Sequence, residues 1–435
     1  MSSLPEIRDL WRGTMLNNAA TTPPFSLVLK AVDQMLWHYS TFHRGLGPEA
    51  DKTYRDVVLA MQTIRQFVNC PEDHVLVFTQ NTSAAINLLA RLLRLKRTDV
   101  VLLSETEHTS NHLPWKYNTK AQVVYAKVFD DGALDYDSLR EQSGKHKGRL
   151  RVVAMTGASN LTGFVPDLAK LSRAAHDNGA MLFIDAAQLA PHRPIDMQAQ
   201  GIDALAFSAH KLYAPFGLGV LVIPRWLAEK APIDPAGGSI DMLGDNGAIW
   251  SHPEMRHTTG TWNVTGIVAL AESCSLMMKT GWETIMSHER QLLEYAVSQM
   301  AGCPKLQLYV PLKKYLDENR IGTLAYNIQG YHHALVSAVL AHEHSIETRA
   351  GTICNHRLVR RWLKVSDSDQ TAIEGKIRQG DLLASYGVVR ASIGIGNQEY
   401  HLRHLFQSLA SLIDHGPEFE YEPHPRQEIF LPVKK

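Results

Sequence analysis

Between residues 75 and 223 the apolar positions fall in short continuous runs: 75–78 (VLVF), 100–103 (VVLL), 123–126 (VVYA), 152–155 (VVAM), 181–184 (MLFI), 204–207 (ALAF) and 218–223 (LGVLVI). Helical patterns separate them, one from Ser83 to about Leu95 and one from Pro166 to about Asn178, with Gly179 as its stop. Continuous rather than alternating apolar strands, divided by helices, predict an α/β fold with a mostly parallel sheet covered on both faces.

Past about residue 265 the pattern changes. Helical periodicity runs through 267–279 and 288–300, then come strand-like pieces at 306–309 and 323–328 and a helix over 334–342. This predicts a smaller α+β unit. The expected division is a large domain over 15–285, a small domain over 286–415 joined by the N-terminal segment 1–14, and a surface tail over 416–435, rich in Pro and charge.

Composition narrows the classes. The 435 residues allow a large core. Lys plus Arg and Asp plus Glu each total 44, which argues against a general nucleic-acid or anionic-membrane binder. No apolar run reaches the roughly 18 residues of a membrane helix. The start, MSSLPEIRDLWRG, has no apolar stretch of the secretory kind. Cys70, Cys274, Cys303 and Cys354 show no paired spacing, so neither a disulfide framework nor a zinc site is expected, and a reducing cytoplasm fits. His108 and His112 stand four apart but lack a third ligand, so no metal is expected; Arg357, Arg360 and Arg361 read as a solvated helix face.

Ligands of open α/β sheets sit beyond the carboxyl ends of strands. Thr82 and Ser83 follow the first run at a helix start, where free N–H groups attract anions, although either residue could simply cap the helix. Asp185 and Gln188 follow the fifth run, and Ser208, His210 and Lys211 the sixth. Asn160 follows the fourth and His108 the second. Hydroxyls, an aspartate, a lysine, an asparagine and a histidine at successive strand ends form the kit for an aldehyde cofactor with a phosphate and a ring nitrogen, pyridoxal phosphate.

The run from Asp203 to Gly219 (DALAFSAHKLYAPFGLG) resembles the lysine motif of class V aminotransferase-fold enzymes, above all the SufS-like cysteine desulfurases. In order along the chain, Asn17–Thr22, His43-Arg-Gly45, Glu107-His108, Ser159-Asn160, Asp185–Gln188, Gly260-Thr261, Arg349-Ala-Gly351 with Cys354, and Arg390–Ser392 resemble further motifs of that family. Cys354 is followed by Asn355–Leu363 and an insertion before Arg390, which is similar to a divergent branch of the family.

The resemblance implies a type I pyridoxal-phosphate transferase fold with a seven-stranded type of sheet, and a homodimer. It implies that Lys211 joins the cofactor aldehyde and shuttles the Cα proton, Asp185 pairs with the ring nitrogen, Gln188 meets the phenolic oxygen, and His108 stacks on the ring. Asn160 would lie near the phenolic oxygen or the substrate carboxylate. Thr82, Ser83, Ser208 and His210 would surround the phosphate, with Thr261 reaching the neighbouring subunit's phosphate. Arg390 would clamp the substrate carboxylate, with His43, Arg44 and Arg349 at the substrate side. Cys354 would accept substrate sulfur as a persulfide, with L-cysteine the substrate, alanine the product and an acceptor protein downstream; the other three cysteines read as structural. Two alternatives stay open: a C–S β-lyase or epimerase-like enzyme in which Cys354 is incidental, and a catalytically inactive binding partner in sulfur trafficking. The intact set of Lys211, Asp185 and His108 argues against the last.

Overall fold

A computed structural model describes residues 3–7 and 13–433 of the chain. The expectations for the N-terminal segment 1–14 fall in part on residues 1–2 and 8–12, which lie outside the described residues.

The strands of the main sheet are β1 (His74–Thr79), β2 (Val100–Ser104), β3 (Gln122–Ala126), β4 (Leu150–Thr156), β5 (Met181–Asp185), β6 (Ala204–Ser208) and β7 (Gly219–Pro224). Their order is β1-β7-β6-β5-β4-β2-β3. All neighbours pair parallel except β7, which is antiparallel to both β1 and β6. Each apolar run of the sequence is thus a strand. The carboxyl ends of β1, β4, β5 and β6 share one edge, because β1 is reversed twice relative to β6.

Around this sheet lie α1 (Pro48–Phe67), α2 (Thr82–Leu92), α3 (Leu168–His176) and α4 (Val264–Thr280). α3 starts at Leu168 rather than Pro166, because the Asp167 carboxylate accepts from the Lys170 N–H and caps the first turn. Gly179 follows in the left-handed region, at φ +70°.

Helix α5 (Trp282–Ala301) passes from one core to the next. Ile285 packs with the main-sheet core, whereas Leu292, Leu293, Ala296 and Met300 pack in a second core. That second core backs an antiparallel sheet of β8 (Leu306–Leu308), β9 (Thr323–Ile328), β10 (Arg349–Gly351) and β11 (Val388–Ser392), ordered β8-β9-β11-β10. Helices α6 (His333–His342), α7 (His356–Trp362), α8 (Asp367–Arg378) and α9 (Glu399–His415) complete this part. Thr14-Met15 pairs in parallel with Ile346-Glu347, and Leu16 enters the second core. The stretch after Gly416 forms a hairpin of β12 (Tyr421–Pro423) and β13 (Phe430–Pro432).

Buried Glu289 on α5 ties the two parts together. It binds His192 and Arg193 at 2.7 Å each and accepts from the Gly322 N–H at 2.8 Å. Burial acts to raise its carboxyl, but the contacts with His192 and Arg193 outweigh that and hold it down at about 2.

Candidate active site

A cavity of about 290 Å³ opens where the carboxyl ends of β1, β4, β5 and β6 meet β10 and β11. Thr82, Ser83, His108, Asn160, Asp185, Gln188, Ser208, His210, Lys211, Arg349, Cys354 and Arg390 all line it.

Its floor is the amino end of α2. The helix cap is Asn81, whose side chain accepts from the Ala84 N–H at 2.9 Å. Thr82 and Ser83 are therefore not the cap, and their polar groups turn to the cavity. The Thr82 N–H donates to the Ser208 hydroxyl at 2.7 Å, and the two hydroxyls lie 2.6 Å apart. Ser83 and Ser110 hydroxyls share a 2.6 Å bond. Hydroxyls and free N–H groups at a helix start suit an anion. His210 Nδ1 lies 3.2 Å from the Thr21 hydroxyl, and burial pushes the ring down to about 4, so it is a neutral member of the floor.

Charge on the walls follows from burial. Desolvation pushes the Asp185 carboxyl up and the Lys211 amine down, and each partly offsets the other. Burial, aided by Lys211, Arg390 and Arg349, pushes His108 down to about 3, which makes it a neutral ring at neutral pH. Arg349 and Arg390 face each other across β10 and β11 in register. Burial and Arg349 push Arg390 down to about 9. Two guanidinium groups opposed on one cavity wall are unfavourable by themselves, and an anion between them relieves that. Arg390 Nη1 donates to the Asn160 carbonyl at 3.1 Å and Nη2 to the Asn17 side chain at 2.9 Å, while its Nε is buried without a partner.

Cys354 sits on a tightly turned segment after β10. Gly351 has φ +113°, and Ile353 and Cys354 adopt left-handed values of +52° and +58°. Non-glycine residues hold such angles only where the surroundings fix them. Here the fixings are three hydrogen bonds: Asn160 Nδ2 to the Ile353 carbonyl (2.8 Å), the Thr109 N–H to the Cys354 carbonyl (3.1 Å), and Asn355 Nδ2 to the Thr106 carbonyl (2.8 Å). Helix α7 anchors the far side. Arg357 lies over the Tyr125 ring at 3.7 Å, Arg361 meets Glu105 at 3.0 Å, and Arg360 meets Asp367 at 2.5 Å, so this basic cluster is engaged rather than merely solvated.

The Aminotransferase class-V profile matches residues 14–405. The chain belongs to the aminotransferase class-V family. Among the relatives of this class-V chain is the cysteine desulfurase of Dickeya dadantii (strain 3937), 31% identical over 79% of this chain and 83% of the relative. Among solved structures, the cysteine desulfurase CsdA of Escherichia coli, in its S-sulfonic acid form, superposes with a TM-score of 0.78 at 27% identity, covering 92% of this chain and 95% of that one. The apo cysteine desulfurase of Thermococcus onnurineus NA1 reaches 0.81 at 25% identity, covering 95% and 99%.

Three residues that the class-V motifs single out lie elsewhere. His43 and Arg44 are exposed, with Arg44 Nη2 reaching the Ile240 carbonyl at 3.5 Å. Thr261 is exposed at a larger cavity, about 610 Å³, across the turn from Thr79 to Ala84. His112 turns away from His108 and bonds the Tyr125 hydroxyl at 2.6 Å. The sequence assigns no role to Asn17, Asn81, Ser110 or Glu107, although Asn17 and Glu107 stand in quoted motifs. Asn17 belongs to a quoted motif, so its place in the class-V pattern was the available signal; Asn81 and Ser110 act through geometry that spacing does not reveal. Glu107 is buried behind His108, bonded by the Ser104 hydroxyl at 2.6 Å and the Asn111 amide at 2.7 Å. Burial pushes its carboxyl up to about 7.

Proposed function

We propose that this chain is a pyridoxal-phosphate-dependent cysteine desulfurase that acts as a homodimer, turns L-cysteine into L-alanine and passes the sulfur, held as a persulfide on Cys354, to an acceptor protein. The observation that carries the reading is that the Cys354 segment and Lys211 line one cavity, together with the opposed Arg349 and Arg390.

The residues fit the cofactor. Gln188 donates through Nε2 to the Ala19 carbonyl at 2.6 Å, which leaves its buried Oε1 without a partner and able to accept from a phenolic hydroxyl. The Thr82, Ser83, Ser208 and His210 floor suits the phosphate, and Asp185 regains a stable charge beside a protonated ring nitrogen. Pyridoxal phosphate, when bound, supplies an aldehyde for the substrate amine and a ring that accepts electron density from Cα.

The chain's own residues do the rest. Arg390, with Arg349 opposite, holds the substrate carboxylate. Lys211, its amine already biased toward the neutral form, takes and returns the Cα proton. His108, a neutral ring on the cavity wall, would cover the face of the cofactor ring. The Cys354 thiolate attacks Sγ: an S–S bond forms, the Cβ–Sγ bond breaks, and its electron pair stays on carbon, which takes a proton to become the methyl of alanine. Lys211, Arg349 and Arg390 line the same cavity as that thiol.

Exposed apolar side chains support a dimer. Trp37 is 85% exposed, Leu46 99% and Leu243 73%, and Arg44 reaches the Ile240 carbonyl of the strand that carries Leu243. The deciding test measures alanine, pyruvate and sulfane sulfur from L-cysteine with purified protein and its Cys354→Ser variant. Alanine with sulfane sulfur, both lost in the variant, is the expected result. Pyruvate with ammonia, unaffected by the substitution, establishes a β-lyase instead.

A further inference from the structure

The hairpin of β12 and β13 lies beyond the family match, which ends at residue 405, and beyond α9. It is docked firmly. The N–H groups of Glu418 and Phe419 donate to the Glu343 carboxylate at 3.0 and 3.1 Å, and the Tyr421 hydroxyl to the same group at 2.9 Å. Phe430 meets the His332 ring edge-on, with centroids 5.8 Å apart.

The turn of this hairpin carries Glu428, and its carboxylate points inward. One oxygen lies 3.7 Å from His333 Nε2 on α6 and is buried without a hydrogen-bond partner. Both oxygens lie against Gly351: a Cβ there would stand 3.4 and 3.5 Å from them. On the other side, Gly387 approaches so closely that a Cβ on it would meet Gly351 Cα at 2.4 Å. Gly351 is thus gripped between a tail carboxylate and the backbone that leads into β11. Burial raises the Glu428 carboxyl, while Ser385 and Arg349 act to keep its charge. Three residues beyond Gly351 stands Cys354, itself left-handed like Ile353 just before it. The hydrogen bonds of Asn160, Thr109 and Asn355 tie that turn to the main-sheet part, and Glu428, which does not line the cavity, meets its start at Gly351.

We infer that Glu428 is a positioning residue for Cys354: the C-terminal hairpin props the turn from Arg349 to Cys354 from outside the cavity and aims the thiol at the substrate sulfur. The inference rests on the reading of Cys354 as the sulfur-accepting thiol.

The test uses holoenzyme, comparing the parent with Glu428→Ala and Glu428→Asp. Iodoacetamide labelling is followed peptide by peptide, with wholly buried Cys274 as the internal monitor of an intact fold. In Glu428→Ala, Cys354 is expected to label about tenfold faster while Cys274 stays unlabelled, and kcat for alanine to fall about tenfold with KM changed less than about twofold. Glu428→Asp, which keeps the charge on a shorter arm, returns part of both. Parent-like Cys354 labelling together with parent-like kcat in Glu428→Ala overturns the proposal. A Cys354→Ser enzyme that still makes alanine removes the sulfur-acceptor reading by itself, and leaves the labelling comparison to judge the prop.

Discussion

The side-chain amide of Asn160 donates to the carbonyl of Ile353 at 2.8 Å, while its own backbone carbonyl accepts from Arg390 Nη1 at 3.1 Å. One residue at the end of β4 thus holds both the turn that carries Cys354 and the guanidinium assigned to the substrate carboxylate. Under the proposed function, this couples substrate recognition to thiol placement.

Asn160→Ala leaves a buried carbonyl at Ile353 without its donor. An unsatisfied buried acceptor costs about 1–3 kcal/mol, and a drop of that size is expected in urea unfolding of the holoenzyme. Persulfide yield per turnover should fall as well, because the left-handed turn has lost one of its fixings. A variant with parent stability and parent yield would show that the amide is not a tie.

Asp185→Asn keeps the shape of the wall but removes the charge that would hold a ring proton. Cofactor binding should persist. Exchange of the substrate Cα hydrogen with deuterium oxide, followed by mass analysis, should slow by roughly a hundredfold. Parent-rate exchange would take Asp185 out of that role.

Thr261, His43 and Arg44 lie outside the cavity of their own chain, as residues serving a neighbour's site would. Lys211→Ala and Thr261→Ala enzymes, each inactive alone, should regain activity when co-refolded, since a mixed dimer has one complete site. Activity no higher than in the separate variants, or full activity from a monomer in sedimentation, would contradict a shared site.

Most of the fold was legible because the strands of the main sheet, the edge strand β3 apart, are buried on both faces and so read as unbroken apolar runs; β2 and β7 are buried at every position. The reversal of β7 was not legible, since a buried strand looks the same in either direction. Strand ends revealed Asp185, Ser208 and Lys211, which follow their runs directly. Asn17, quoted only within a motif, and Glu428 received no role for the opposite reason: Asn17 meets Arg390 from the far end of the chain, and Glu428 lies in a turn of a stretch whose composition suggests only a tail.

Glu107 provides a test in which electrostatics can be read apart from catalysis. Its carboxyl is buried beside His108 and near Asp185, and burial raises it to about 7 from an ordinary 4.5. Between those values the unfolded chain is ionised there and the folded chain is protonated. Stability from this group is therefore fully present below about pH 4.5 and is lost as pH rises through about 7. His108 has the opposite sign: its folded value of about 3 makes stability fall as pH drops below 6.5. Glu107→Gln removes only the first effect and keeps an amide of the same shape between Ser104 and Asn111. Relative to the parent, the variant should gain on the order of 3 kcal/mol between pH 4.5 and pH 8, from linkage at about 1.4 kcal/mol per pKa unit. Urea unfolding of both proteins at fixed excess cofactor, repeated across that range, measures the difference directly. A difference that stays flat with pH would mean that Glu107 is ionised in the folded enzyme throughout, held by Ser104 and Asn111 against its burial.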